Sequence, residues 1–313
     1  VTVPDWARSG RRGAAYRLLG PKLAYLLHTR PAEWPIMAAH TALGYVLAVG
    51  VDGVVAAEHG ALAATGVAAW VIGLNGGTLA VNSAFDRDVA DIAYLRSPPP
   101  PPSHLFAFGL GLMTAGLLIA ALLPRAYLFV YAVCFTLSVL YSVPPARLKA
   151  VGGADWLINM WGFGTLTPLA GWVATGVPLT RPGVLVLLAF GPLFAAFYPL
   201  TQIYQIDEDR ARGDRTLTIR LGVRRSLWLA LACAGLAFAV FAAAALAARW
   251  SAAGADLYRW ALLLTAAGSW AAVLVPWLVG HADWPPSRHQ RGMYAALGAW
   301  AVTDLAVAVA WGT

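Results

Sequence analysis

The sequence predicts an all-α integral membrane protein: nine transmembrane helices in a bundle around a central cavity, pseudo-duplicated into two similar halves. Three observations carry that prediction. Of 313 residues, 59% are apolar and 12% charged, with a mean hydropathy of +0.64, a balance foreign to soluble domains. Apolar runs recur at the roughly 20-residue length a helix needs to cross hydrocarbon. No window alternates with period two for long enough to build a transmembrane barrel.

Residues 1–34 form a basic N-terminal segment, expected on the cytoplasmic side. It shows no uninterrupted apolar core of a secretory signal. Within it, 14–27 mixes Arg17 and Lys22 with Tyr16, Leu18, Leu19, Leu23, Tyr25 and Leu26, which suits an interfacial helix. One membrane domain, 35–313, follows. Its spans are expected at about 35–57, 62–85, 103–122, 125–143, 156–177, 183–205, 226–248, 257–279 and 292–312. Pro98 to Pro102 should be a stiff polyproline connector between the second and third.

Lys and Arg orient the bundle. Of 22 basic residues, only Arg125, Arg181, Arg249 and Arg259 fall on one side; the rest crowd the other, which should be cytoplasmic. That bias accounts for the net charge of +7 without a nucleic-acid partner. Cys134 and Cys233 sit inside apolar runs and read as packing residues.

Two acid-rich segments end apolar runs on the basic side. The first carries Asn82, Asp86, Asp88 and Asp91, with Arg96 downstream. Asn82 and Asp86 are four apart, so a helix stacks them on one face. Asp88 and Asp91 turn inward only if that helix ends near Asp88. The second carries Asp207, Glu208, Asp209, Asp214 and Arg215. Upstream, Tyr198, Gln202, Gln205 and Asp209 recur as one helical stripe. Carboxylates beside a membrane core are costly to desolvate and ask for a cation. Clustered hard oxygens suit Mg²⁺, which suits a diphosphate. The bland alternatives are a solvated helix end and an acidic loop paired with its own arginines. Between the segments, Tyr141-Ser142-Val143-Pro144-Pro145-Ala146-Arg147-Leu148-Lys149 ends a span and throws two cations to the same face. They suit phosphate binding, although topology signalling also explains them.

Asn82-x3-Asp86, Tyr141-Ser-x-Pro-Pro-x-Arg147-x-Lys149 and Glu208-Asp209-Arg210-x3-Asp214-x-Thr216-Leu217-x3-Leu221-Gly222 together resemble the UbiA superfamily of intramembrane prenyltransferases. Arg30-Pro31-x-x-Trp34 is similar to that family's entry to the first span. The chain departs from the family where Ser83, Ala90 and Gln205 replace acids of the motifs. The resemblance implies Mg²⁺ held by Asn82, Asp86, Asp88, Asp91, Asp207 and Asp209, with Asp86, Asp209, Arg147 and Lys149 carrying the chemistry. Asn82, Arg96, Tyr141, Gln205 and Arg215 are then the diphosphate contacts. It also implies partners: an isoprenoid diphosphate, an aromatic or other lipophilic acceptor, and the bilayer of the cell inner membrane. The allylic carbocation would form in an apolar bundle rich in Trp and Tyr.

Two other functions stay open on sequence. A membrane-bound terpene cyclase of the same superfamily would keep the ionisation and make the second step intramolecular. A secondary transporter also tolerates acids and internal duplication, although these acids cluster at one face. Asp304 within the last span is expected to pair with a polar neighbour or reach the acceptor, and His40 to be a satisfied interior histidine. Asp155 favours a helix N-terminus, and Asn159, four residues on, is a candidate substrate contact.

Overall fold

The computed structural model describes residues 10–86, 92, 94–211, 213 and 216–313. The described residues form helices joined by short turns, with one isolated bridge, Ile92 to Leu95. Two short helices, α1 (Gly10–Leu19) and α2 (Leu23–His28), open the chain. They are followed by α3 (Trp34–Val55), α4 (Gly60–Asp86), α5 (Leu105–Ala120) and α6 (Arg125–Ser142). The run 154–174 is α7; α8 is Arg181–Ile203 and α9 the short Ile206–Ala211. Helices α10 (Leu217–Ala247), α11 (Leu257–Gly280) and α12 (Pro286–Gly312) complete the chain.

Seven of these, α3, α4, α6, α8, α10, α11 and α12, are long and apolar enough to cross a membrane. The expected third and fifth spans are helical but fall short of that standard. Helix α5 has 16 residues; α7 carries Asp155 and Asn159, which lower its hydropathy, ahead of its π-helical turn, Met160–Leu166. The seventh run starts earlier than its hydropathy suggests. The Thr216 hydroxyl accepts from the Ile219 N–H at 3.4 Å, starting the helix, and Gly222 (φ 74°) breaks it before the apolar stretch. A left-handed residue in the path of a helix suits glycine, which has no Cβ to clash.

The chain divides into two compact units, residues 1–39 with 64–146 and residues 40–63 with 147–313. In the first, α4 and α5 meet at Gly77 and Gly109. A Cβ at Gly109 would stand 2.8 Å from the Gly77 carbonyl oxygen, so only small residues permit this approach. The Tyr127 hydroxyl donates to the Gly66 carbonyl (2.6 Å) and Tyr131 to that of Met113 (3.0 Å), tying α6 to α4 and α5. The N-terminal arm is broken into α1 and α2 around Gly20 (φ 58°) and Pro21 instead of running unbroken from 14 to 27. Arg12 donates to the carbonyls of Arg96 (2.7 Å) and Ser97 (3.2 Å), and His28 Nε2 lies 3.1 Å from the Pro99 carbonyl.

In the second unit, α8 packs most extensively on α10 through a small-residue surface that includes Ala189, Ala195 and Ala196 facing an alanine-rich partner with Ala230, Ala234 and Ala237. Small side chains suit this role in lipid, where close backbone approach and dispersion drive helix association. Large rings fill the remaining core, with Phe190, Phe241, Trp270 and Trp277 almost wholly buried.

Candidate active site

Helix α4 carries the first set of oxygens in its last described turn, which reaches Asp86. Asn82 and Asp86, one helical turn apart, are both half-buried. The Ser142 hydroxyl, at the end of α6, donates to Asn82 Oδ1 at 3.2 Å and fixes the amide. Ser83, which replaces an acid of the family motif, is fully buried, and its hydroxyl has no hydrogen-bond partner among the described residues. Asp88 and Asp91 lie outside the described residues. Arg96 presents an exposed side chain while its carbonyl accepts from Arg12.

Tyr141 is half-buried near the end of α6. Beyond it, Arg147 adopts the left-handed conformation (φ 34°, ψ 55°) and exposes its side chain, with half-buried Lys149 in the following 3₁₀ turn. A left-handed non-glycine residue is uncommon enough to mark a turn that neighbouring structure holds in place.

The second set departs from the continuous stripe. Helix α8 stops at Ile203, the chain turns at Tyr204 and Gln205, and α9 restarts at Ile206. Tyr198 and Gln202 are therefore separated from Gln205 and Asp209 by a break in the helix. Asp209 is 5% exposed, and its N–H donates to the Gln205 carbonyl at 2.9 Å; Gln205 itself is half-buried. Asp207 points to solvent, where Arg210 meets it at 3.4 Å. Such exposed pairs contribute little. Arg215 lies outside the described residues.

Tyr198 and Gln202 turn instead to Asp155, which is 1% exposed at the start of α7. Asp155 Oδ1 accepts from the Gly153 N–H (2.9 Å), and Oδ2 from the Tyr198 hydroxyl and Gln202 Nε2 (3.3 Å each). Gln202 Oε1 then accepts from the Thr218 hydroxyl (2.9 Å) at the start of α10. Asn159 is spent inside this network, donating to the Asp155 carbonyl at 2.8 Å. The network holds together the start of α7, the end of α8 and the start of α10, the last two adjoining α9 and Asp209 in the chain. Its Asp155 member was legible only as a helix-start residue.

Asp304 finds its polar neighbour in His40: Nδ1 stands 3.1 Å from both carboxylate oxygens, and Nε2 lies 3.4 Å from the Gly164 carbonyl. Phe190 and Trp300 meet the imidazole edge-on, with centroids at 5.0 Å. The histidine is a satisfied interior residue.

Among the described residues, no three or more His, Cys, Asp or Glu side chains gather as a metal centre. The donor chemistry of each segment fits a hard cation: Asn82 and Asp86 offer oxygen ligands in the last described turn of α4, Asp209 offers a carboxylate in α9, and Mg²⁺ typically takes one or two carboxylates with the substrate's phosphates.

The described residues define a helical membrane protein with seven apolar helices long enough to cross a bilayer and oxygen-bearing side chains near helix termini. The UbiA prenyltransferase family model matches residues 37–297, and the chain belongs to that family. It is an integral membrane prenyltransferase. It is similar to a lycopene elongase/hydratase of Haloferax volcanii, 30% identical over 241 residues, covering 75% of this chain and 77% of that protein. A digeranylgeranylglyceryl phosphate synthase of Natronomonas pharaonis is 32% identical over 155 residues, covering 48% of this chain and 54% of that protein. Among solved structures, one from work on digeranylgeranylglyceryl phosphate synthase in membranes superposes with a TM-score of 0.69 at 16% identity, covering 92% of this chain and 98% of that one. A UbiA homolog from Archaeoglobus fulgidus bound to DMAPP and Mg²⁺ superposes at 0.63 and 17% identity, covering 91% and 99%. Family membership removes the transporter alternative.

Proposed function

We propose that the chain transfers a prenyl group from an isoprenoid diphosphate to a lipophilic acceptor, with Mg²⁺ as cofactor and its active site at the cytoplasmic face. The observation that carries this reading is the pairing of helix-end oxygens in each acidic segment, Asn82 with Asp86 and the buried Asp209. Their hard-oxygen chemistry suits a cation that must also hold phosphate. Bound there, Mg²⁺ would neutralise diphosphate charge and make it a better leaving group. Arg147 and Lys149 would bind the remaining phosphate oxygens, with the guanidinium giving forked hydrogen bonds; Tyr141, Gln205, Arg96 and Arg215 complete the proposed phosphate contacts. Asp88, Asp91 and Asp207 are proposed as further or water-mediated ligands. Interior aromatic faces would stabilise the allylic cation and exclude water from it. The names elongase and synthase borne by the two relatives support intermolecular transfer over cyclisation.

Asp86→Ala and Asp209→Ala should each abolish Mg²⁺-dependent diphosphate release from geranyl diphosphate in membranes. Full turnover in both variants would overturn the assignment.

A further inference from the structure

The turn that carries Arg96, ahead of α5, is held from outside itself. Ile92 and Leu95 exchange backbone hydrogen bonds (3.0 and 2.9 Å), closing a turn through Tyr94 (φ 63°), and Ser97 (φ 44°) places a second left-handed residue just beyond Arg96. Non-glycine residues seldom adopt that conformation, so two of them bracketing one arginine mark a path that the surroundings fix. Pro98 to Pro102 follows at once. Proline has no N–H, so this run can be pinned only through its carbonyls.

The donors that pin it come from the N-terminal arm. The Arg12 guanidinium forks across two successive peptides, donating from Nη2 to the Arg96 carbonyl (2.7 Å) and from Nη1 to that of Ser97 (3.2 Å). His28, wholly buried at the end of α2, donates from Nε2 to the Pro99 carbonyl at 3.1 Å. Apolar contacts lock the same assembly: Leu95 is buried, and Tyr25 of α2 meets Phe108 of α5 edge-on with centroids at 5.3 Å. The arm thus spends its polar groups on the backbone that carries Arg96, while the Arg96 side chain stays exposed. An arginine on a preset backbone loses less freedom when it takes up phosphate than one on a loose loop.

We propose that Arg12 and His28 are positioning residues for the donor diphosphate: they preset the backbone of 96–99 so that Arg96 meets phosphate at low ordering cost, which makes the N-terminal arm part of the donor site. The inference rests on the reading of Arg96 as a diphosphate contact. Neither Arg12 nor His28 has to touch the substrate.

The test measures the Kd of geranyl diphosphate, with Mg²⁺, for the purified full chain in detergent. Arg12→Met should weaken binding about tenfold, the equivalent of one hydrogen bond. Arg12→Lys keeps the charge and should stay weakened, because an ammonium cannot fork across two carbonyls. His28→Leu should weaken binding as well, and His28→Gln, which keeps an N–H donor, should lie closer to wild type. Arg96→Met should cost a similar factor, and adding Arg12→Met to it should cost less than about twofold more, because Arg12 acts through Arg96. A purely structural role for the arm would lower Tm without that non-additivity. Unchanged Kd in Arg12→Met, full recovery in Arg12→Lys, or losses that multiply in the double variant overturn the proposal while wild-type binding stands. Absence of Mg²⁺-dependent geranyl diphosphate binding in the wild type would instead overturn the prenyl-transfer reading and this inference with it.

Discussion

Asp155 is the side chain whose loss should reach furthest. Asp155→Ala removes the acceptor for the Gly153 N–H and leaves the Tyr198 hydroxyl and Gln202 amide without their common partner. Each buried donor left unpaired costs about 1–3 kcal/mol, and bonds as long as these belong at the low end. Together the three donors cost about 3 kcal/mol. At about 2–4 °C per kcal/mol for a large domain, the apparent Tm should fall by about 6–12 °C. Asp155→Asn keeps one oxygen and should fall about half as far. The consequence for function follows from the Gln202–Thr218 link, which holds the start of α10 against α8 on either side of α9. Loosening it should displace Asp209 and raise the Mg²⁺ concentration needed for half-maximal rate more than it raises acceptor KM. Thermal unfolding in detergent by intrinsic tryptophan fluorescence, with a Mg²⁺ titration of diphosphate release, reads both effects. An Asp155→Ala protein melting within about 2 °C of wild type would refute the reasoning.

Four further outcomes follow from local geometry. Asp207→Ala should keep activity within about tenfold of wild type, because so exposed a side chain would reach the metal only through water, whereas Asp209→Ala should not; steady-state rates in membranes separate them. His28 is held below its ordinary value of 6.5 by burial and the nearby Arg30 guanidinium, against the pull of the Pro99 carbonyl. Above pH 6.5 the ring is neutral folded or unfolded; below it only the unfolded chain readily takes the proton, so stability should fall as pH drops. Melting curves from pH 8 to about 5.5 should show that loss, and His28→Gln should flatten it. A double-mutant cycle of His40→Ala and Asp304→Ala should return a coupling of about 1–2 kcal/mol, the upper range for polar pairs between membrane helices; additive Tm losses would show the pair is idle. Gly171→Leu should prevent stable folding, since a Cβ there collides with the Thr41 carbonyl oxygen; recovery of monodisperse protein by size-exclusion chromatography checks it.

What the sequence discloses and what it hides divides along the distance between partners. Hydropathy located the helices because a span is a local property, and Asn82 with Asp86 was readable because a spacing of four fixes a shared face. The broken stripe shows where that logic stops. Tyr198, Gln202, Gln205 and Asp209 keep perfect helical spacing, and neither Gly nor Pro marks the turn at Tyr204 and Gln205. What diverts the stripe is Asp155, 43 residues from Tyr198, which claims its upper half. Asp304 was equally conspicuous as an acid in an apolar run, yet its partner His40 stands 264 positions away. Asn75 was not singled out although it carries the same signal, an amide inside an apolar span. The π-helical turn of α4 sets it against the Glu33 carboxyl. In each case local chemistry announces that a polar group in the membrane must be satisfied, and only topology names the group that satisfies it. Polar residues inside the spans are therefore the positions where substitution should disturb Mg²⁺ response most, with little effect on whether the helices form.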